Sequence, residues 1–147
     1  MIMCIYHGNC ADGFGAAWVV RKALGEIDFH PGKYQEPPPD VMGKDVVMVD
    51  FSYKRPVLLE MAAKANSILI LDHHKTAVED LVDLPANVTA KFDMSHSGAM
   101  LTWEHFFPGQ EPPPLLLHIE DRDLWRFALQ NTRQIQANVF SFPYDFQ

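Results

Sequence analysis

Asp72-His73-His74 is the densest group of chemically able side chains in the sequence. Two successive imidazoles at the end of a strand point different ways, so one can ligate a metal while the other faces a substrate. A carboxylate beside them can accept the far ring N–H of a histidine and fix its tautomer. Alone, such a triplet on an exposed turn is more often a solvated loop. Its weight changes because His7 and Asp50 also stand directly after short apolar runs. A further carboxylate, Asp121, falls between Leu117 and Leu124 at helical spacing, on the apolar face of a helix expected from Pro114. A buried carboxylate has to be paired, neutralised or bound to a cation. A salt bridge to Arg122 or Arg126 is the structural alternative there, and Asp123 points elsewhere.

Stepping strands must bring these residues together. Residues 2–6 run into His7, residues 46–49 into Asp50, and residues 67–71 into Asp72. Aliphatic and β-branched runs without alternation suit strands buried on both faces of a parallel sheet. Helices are expected between them: residues 11–24, carrying Phe14, Ala17 and Trp18 and stopping at Gly25; residues 56–65, with Leu59, Ala62 and Ala63 on one side; and residues 97–107, with Ala99, Trp103 and Phe106 in a stripe. A weaker strand is expected at residues 88–92. The alternation predicts an α/β fold, a doubly wound, mainly parallel sheet with helices on both faces. Ligands of such sheets bind beyond the carboxyl ends of the strands, where His7, Asp50 and Asp72 fall.

Composition narrows the partners. The chain has 147 residues, is 48% hydrophobic and 21% charged, and so reads as one globular domain. Its net charge of −7 argues against coating duplex DNA, which needs a cationic face. No apolar run approaches the ~20 residues of a membrane span, and no cleavage site follows the apolar start. Cys4 and Cys10 make no disulfide framework, so a reducing cytoplasm is expected. The repeated Gln-Glu-Pro-Pro-Pro at 35–39 and 110–114 reads as two stiff connectors.

Four stretches occur in order: His7-Gly8-Asn9-Cys10-Ala11-Asp12-Gly13, residues 46–50, Leu71-Asp72-His73-His74, and Asp121-Arg122-Asp123-Leu124-Trp125. Together they resemble the motifs of the DHH phosphoesterases, a family that includes RecJ-type single-strand exonucleases, nano-RNases, family II inorganic pyrophosphatases and cyclic-dinucleotide phosphodiesterases. The resemblance covers most of the chain and implies two divalent metals, usually manganese. Carboxylates mixed with imidazole suit Mn2+ or Mg2+ better than a thiolate zinc site. It makes Asp50 the bridging carboxylate, His7 a ligand of the first metal, and Asp12, His73 and Asp121 ligands of the second. Asp72 becomes the orienter of a ligand histidine and His74 the residue contacting phosphate. Cys10 stands where many members carry Asp, as a replacement ligand or as a small half-buried thiol. Members usually continue into a DHHA-type domain, so the expected organisation is one DHH-type domain over residues 1–147 with that second domain absent from this chain.

Other residues are candidates for substrate contact. Ser97 opens a helix and either holds a phosphate oxygen with the free N–H groups there or simply caps it. His96 and Arg126 are outer candidates, Arg126 being equally a partner of Asp123. His30, His105 and His118 are expected at the surface or in packing, and the methionines with Trp18, Trp103 and Trp125 in the core. The expected function is a manganese-dependent phosphohydrolase, in which a metal-activated water attacks the phosphorus of a small phosphoester such as a short oligonucleotide or cyclic dinucleotide. His74 would contact the phosphate or protonate the leaving oxygen. The alternative is a catalytically weak metal- or nucleotide-binding module, or an assembly partner in a homo-oligomer.

Overall fold

The protein is described by a computed structural model over residues 1–123. The elements run β1 (Ile2–His7), α1 (Ala11–Leu24), β2 (Asp28–Gly32), β3 (Asp45–Val49), α2 (Arg55–Lys64), β4 (Ser67–Asp72), α3 (Lys75–Asp80), β5 (Val88–Phe92), α4 (Gly98–Phe106) and α5 (Pro114–Asp123). All strand pairs are parallel, in the order β2-β1-β3-β4-β5.

The unalternating strands are buried on both sides, as parallel strands must be when crossover helices cover both faces. One face of the sheet carries Ile5, Met48, Ile68 and Ile70 against Leu58 and Met61 of α2 and Ala77 of α3. The other carries Cys4, Tyr6, Val47, Val49 and Leu71 against α1, α4 and α5. Each fully buried aliphatic side chain among these contributes about 1.5–3 kcal/mol. The doubly wound α/β architecture is therefore the observed one. Among the described residues, no helix is long and apolar enough to cross a membrane.

Register aligns the chemistry. Tyr6 lies opposite Val49, and Val49 opposite Leu71. The next residue on each strand is His7, Asp50 and Asp72, so the three fall in a row along one edge. The chain winds outward from β1 to β2, then crosses back to β3, which makes β1/β3 the switch point of the sheet. His7 and Asp50 flank that crevice.

Two elements were not anticipated. β2 reads Asp-Phe-His-Pro-Gly, and Pro31 is tolerated because the strand lies at the sheet edge. α3 has only 6 residues, too few for a periodic signal. Some packing expectations are corrected as well. α1 meets its neighbours through Gly15, Ala16, Val19 and Val20, while Trp18 is 37% exposed. Close packing is the reason: a Cβ on Gly15 would sit 3.3 Å from both Ala99 and Ile119. α2 buries Leu58, Met61 and Ala62, one step round from the face expected, leaving Ala63 exposed. Met1, Met42 and Met94 are exposed, unlike the other methionines. Arg126 and Trp125, with the side chains of Arg122 and Asp123, lie outside the described residues.

Candidate metal centre

Asp50 is the hub. It follows β3 with φ 55°, a left-handed conformation that Asp tolerates better than most residues but that still costs about 1–3 kcal/mol. Its backbone N–H donates to Leu71 O at 2.9 Å, and its side chain is 1% exposed. α4 can approach so closely only because residue 98 is glycine. A Cβ there would lie 2.5 Å from Asp50 Cβ and 2.7 Å from Oδ1.

The two oxygens of Asp50 face different donors. Oδ1 lies 2.7 Å from His73 Nε2, which is also 3.3 Å from Asp12 Oδ2. Oδ2 lies 3.5 Å from His7 Nδ1 and 3.7 Å from Cys10 Sγ. His7 Nδ1 is buried without a hydrogen bond. Asp12, in the first turn of α1, is held by the Gly98 and Ala99 N–H groups, each donating at 2.8 Å. The start of α1 is pressed onto the end of β1, since a Cβ on Gly13 would meet His7 O at 2.2 Å.

Asp72 stands behind this group. It is fully buried and accepts from Ser52 Oγ at 3.0 Å and from His73 N at 2.8 Å. His74 Nδ1 approaches Asp72 Oδ1 to 2.7 Å without the angle of a hydrogen bond, so the contact is chiefly electrostatic. His73 turns to Asp50 and Asp12, while His74 remains 34% exposed, the two ring centroids lying 4.6 Å apart.

Charge follows from these contacts. Burial favours neutral Asp50, but the His7 and His73 rings outweigh it and hold its carboxyl below the usual range. Burial and the neighbouring Asp50 charge push Asp12 up to about 6, against the His73 and Ala99 hydrogen bonds. Burial opposes a charge on His73, yet Asp12 and Asp50 together raise it to about 11. Asp72 raises His74, and burial of Asp72 is outweighed by His74, the His73 N–H and Ser52, which keep it ionised. Burial and then Asp50 push the Cys10 thiol up to about 12.

The donors fit a divalent cation. Asp50, Asp72, His73 and His74 offer ligand atoms within 4.8 Å of one another, as do His7, Cys10 and Asp50. An orphaned buried imidazole nitrogen facing a carboxylate is the arrangement a cation would complete. His7, Asp12, Asp50, Asp72, His73 and His74 are thus brought together. Asp121 is 3% exposed on α5, which packs against α1 and α4.

The start of α4 bears on the two readings of Ser97. Ser97 is fully buried and its Oγ accepts from Met100 N at 3.2 Å. Its own N–H goes to Glu120 Oε2, and the next two go to Asp12. No N–H of that turn is left for a phosphate oxygen, so Ser97 caps the helix. His96 lies among carboxylates, 3.1 Å from Glu120, 3.4 Å from Glu104 and 3.9 Å from Asp93.

Three participants were missed in the sequence. Glu120 is a buried carboxylate one residue before Asp121, and helical spacing alone could have placed it. Ser52, two residues past Asp50, had no local signal. Tyr34, 49% exposed, sets its ring 5.4 Å from His7 and 4.8 Å from Phe51, at the rim of the centre. It follows β2, the strand that the sequence concealed.

No protein-family model matches the chain. It is 33% identical over 159 residues to the uncharacterized protein R106 of Acanthamoeba polyphaga mimivirus, covering 97% of this chain and 38% of that protein. Among solved structures it is similar to an uncharacterized protein from Helicobacter pylori G27, with a TM-score of 0.69 at 13% identity, over 92% of this chain and 48% of the other. The chain thus spans less than half the length of either relative, and what the structural likeness shows is the fold.

Proposed function

We propose that this protein is a metal-dependent phosphohydrolase of DHH type, acting in the cytoplasm on a small phosphoester such as a short oligonucleotide or cyclic dinucleotide. One observation carries the reading: a single buried carboxylate, Asp50, divides its two oxygens between two donor groups at the switch point of the sheet. That is the geometry a bridging ligand requires. His7 and Asp50 would hold one cation, and Asp12, Asp50, His73 and Asp121 the other, manganese being the expected metal and magnesium the alternative.

Bound there, two cations would supply an acidified water and a positive field for the phosphate oxygens. The chain's own groups do the rest. The Gly98 and Ala99 N–H groups keep Asp12 aimed at His73, so its carboxylate is already oriented. Asp72, held by Ser52 and the His73 N–H, favours the protonated form of His74, which is 34% exposed. A charged, half-exposed imidazole can donate to a phosphate oxygen and release its proton to the leaving oxygen. Tyr34 stands at the rim on the β2 side.

The test is turnover of a phosphodiester panel with added manganese, using Asp50→Asn and His74→Ala as controls. Metal-dependent hydrolysis abolished by Asp50→Asn supports the reading. Metal binding at Asp50 with no turnover of any phosphoester would leave a metal-binding module in its place.

A further inference from the structure

The His7 side of the centre differs chemically from the His73 side. His7 Nδ1, Cys10 Sγ and an Asp50 oxygen converge within 4.8 Å from the end of β1, the turn into α1 and the end of β3. Their separations are informative. Nitrogen and oxygen ligands of one tetrahedral zinc, each at ~2.1 Å, stand ~3.4 Å apart, and sulfur at ~2.3 Å stands ~3.6 Å from that oxygen. Ligands at right angles around an octahedral ion, each at ~2.1 Å, stand only ~3.0 Å apart. The observed distances from Asp50 Oδ2 are 3.5 Å to Nδ1 and 3.7 Å to Sγ, matching the tetrahedral values. The nitrogen is buried and lacks a hydrogen bond. Cys10 also occupies the N-cap of α1, where Ser or Asp would serve the helix better, so helix capping does not explain the thiol.

Building on the two-cation reading above, we propose that His7, Cys10 and Asp50 form a thiolate-bearing site for a zinc-class cation, so that the positions flanking Asp50 take different metals. Thiolate and imidazole favour zinc or cobalt, whereas the carboxylate-rich His73 side favours manganese or magnesium. Binding forms a metal–sulfur bond and releases the Cys10 proton to solvent, with no electron transferred. Three protein ligands leave a fourth tetrahedral position open to water or a substrate oxygen, the pattern of a catalytic zinc.

The experiment is titration of the metal-stripped full chain with cobalt(II) as a coloured stand-in for zinc. The wild-type protein should develop an intense near-ultraviolet sulfur-to-cobalt charge-transfer band. Cys10→Ser, with circular dichroism confirming its fold, should lose the band and bind zinc roughly 10-fold or more weakly. Its manganese affinity should stay within about 3-fold. Cys10→Asp should move the preference at this position towards manganese. A wild-type protein without the band, or a band that survives Cys10→Ser, overturns the proposal. The band seen in a protein that hydrolyses no phosphoester upholds this site and refutes the hydrolase reading. Manganese-dependent turnover without the band does the reverse.

Discussion

The two sides of Asp50 share one carboxylate and behave as opposites. On the Oδ1 side, His73 is clasped between Asp50 and Asp12 at 2.7 Å and 3.3 Å, and a proton holds the group closed. On the Oδ2 side, His7 and Cys10 stand 3.5 Å and 3.7 Å away, and the His7 nitrogen has no hydrogen bond. A cation entering the first side must displace a proton from a strong cluster. One entering the second meets an imidazole nitrogen and a thiol already 3.5 Å and 3.7 Å from the shared oxygen. The lesson is that one buried carboxylate can be held by a tight charged cluster on one side and by a looser imidazole and thiol on the other, so the two positions need not fill alike.

Removing the hub should have the largest effect. Asp50→Asn takes an anionic ligand from both positions, and hydrolysis should fall roughly 1,000-fold or more, with metal content lost by elemental analysis. If only one position loses metal, the two sides are independent and Asp50 does not bridge them.

His74→Ala comes next. Because His74 faces outward from Asp72, kcat should fall about 100-fold with metal affinity nearly unchanged. His73→Ala should instead weaken both kcat and metal affinity. Equal metal loss in the two variants would make the triplet a single ligand group. Ser52→Ala removes the hydroxyl donor to Asp72 and should lower activity by about 10-fold, with a shift in the acid limb of the pH profile.

Protons separate the two sides further. With His73 raised to about 11, the metal-free protein carries that charge at neutral pH. Cation binding on the Oδ1 side should therefore release about one proton, and affinity should rise about tenfold per pH unit from pH 7 to 9. Calorimetry in buffers of different ionisation enthalpy reads this directly, and zero protons released would contradict it. In the metal-free protein the raised pKa stabilises the fold. That contribution is fully present below the ordinary histidine value of ~6.5 and is lost as pH rises through about 11. Gly98→Ala gives the smallest change, about 1–3 kcal/mol of stability in denaturant titration, because its Cβ would meet Asp50 at 2.5 Å.

Much of this site was legible because strand ends are simple to read. Three unbroken apolar runs stop at His7, Asp50 and Asp72, and parallel register then sets them in a row. Ser97 was ambiguous in sequence, since capping and phosphate binding use the same residue; only the positions of Asp12 and Glu120 decided it. Trp18 misled because size suggested burial, whereas the tight α1 contact admits only small side chains. Tyr34 and Ser52 carry no periodic signal, and their importance comes from tertiary proximity alone.

The central claim is that Asp50 bridges two cations. Crystals grown with manganese and zinc, measured at both absorption edges, test it most directly. The expected result is two anomalous peaks about 3.5–4 Å apart on opposite sides of the Asp50 carboxylate, one near His73 and one near His7. Peaks that lie away from Asp50, or a single peak unchanged in Asp50→Asn crystals, would contradict it.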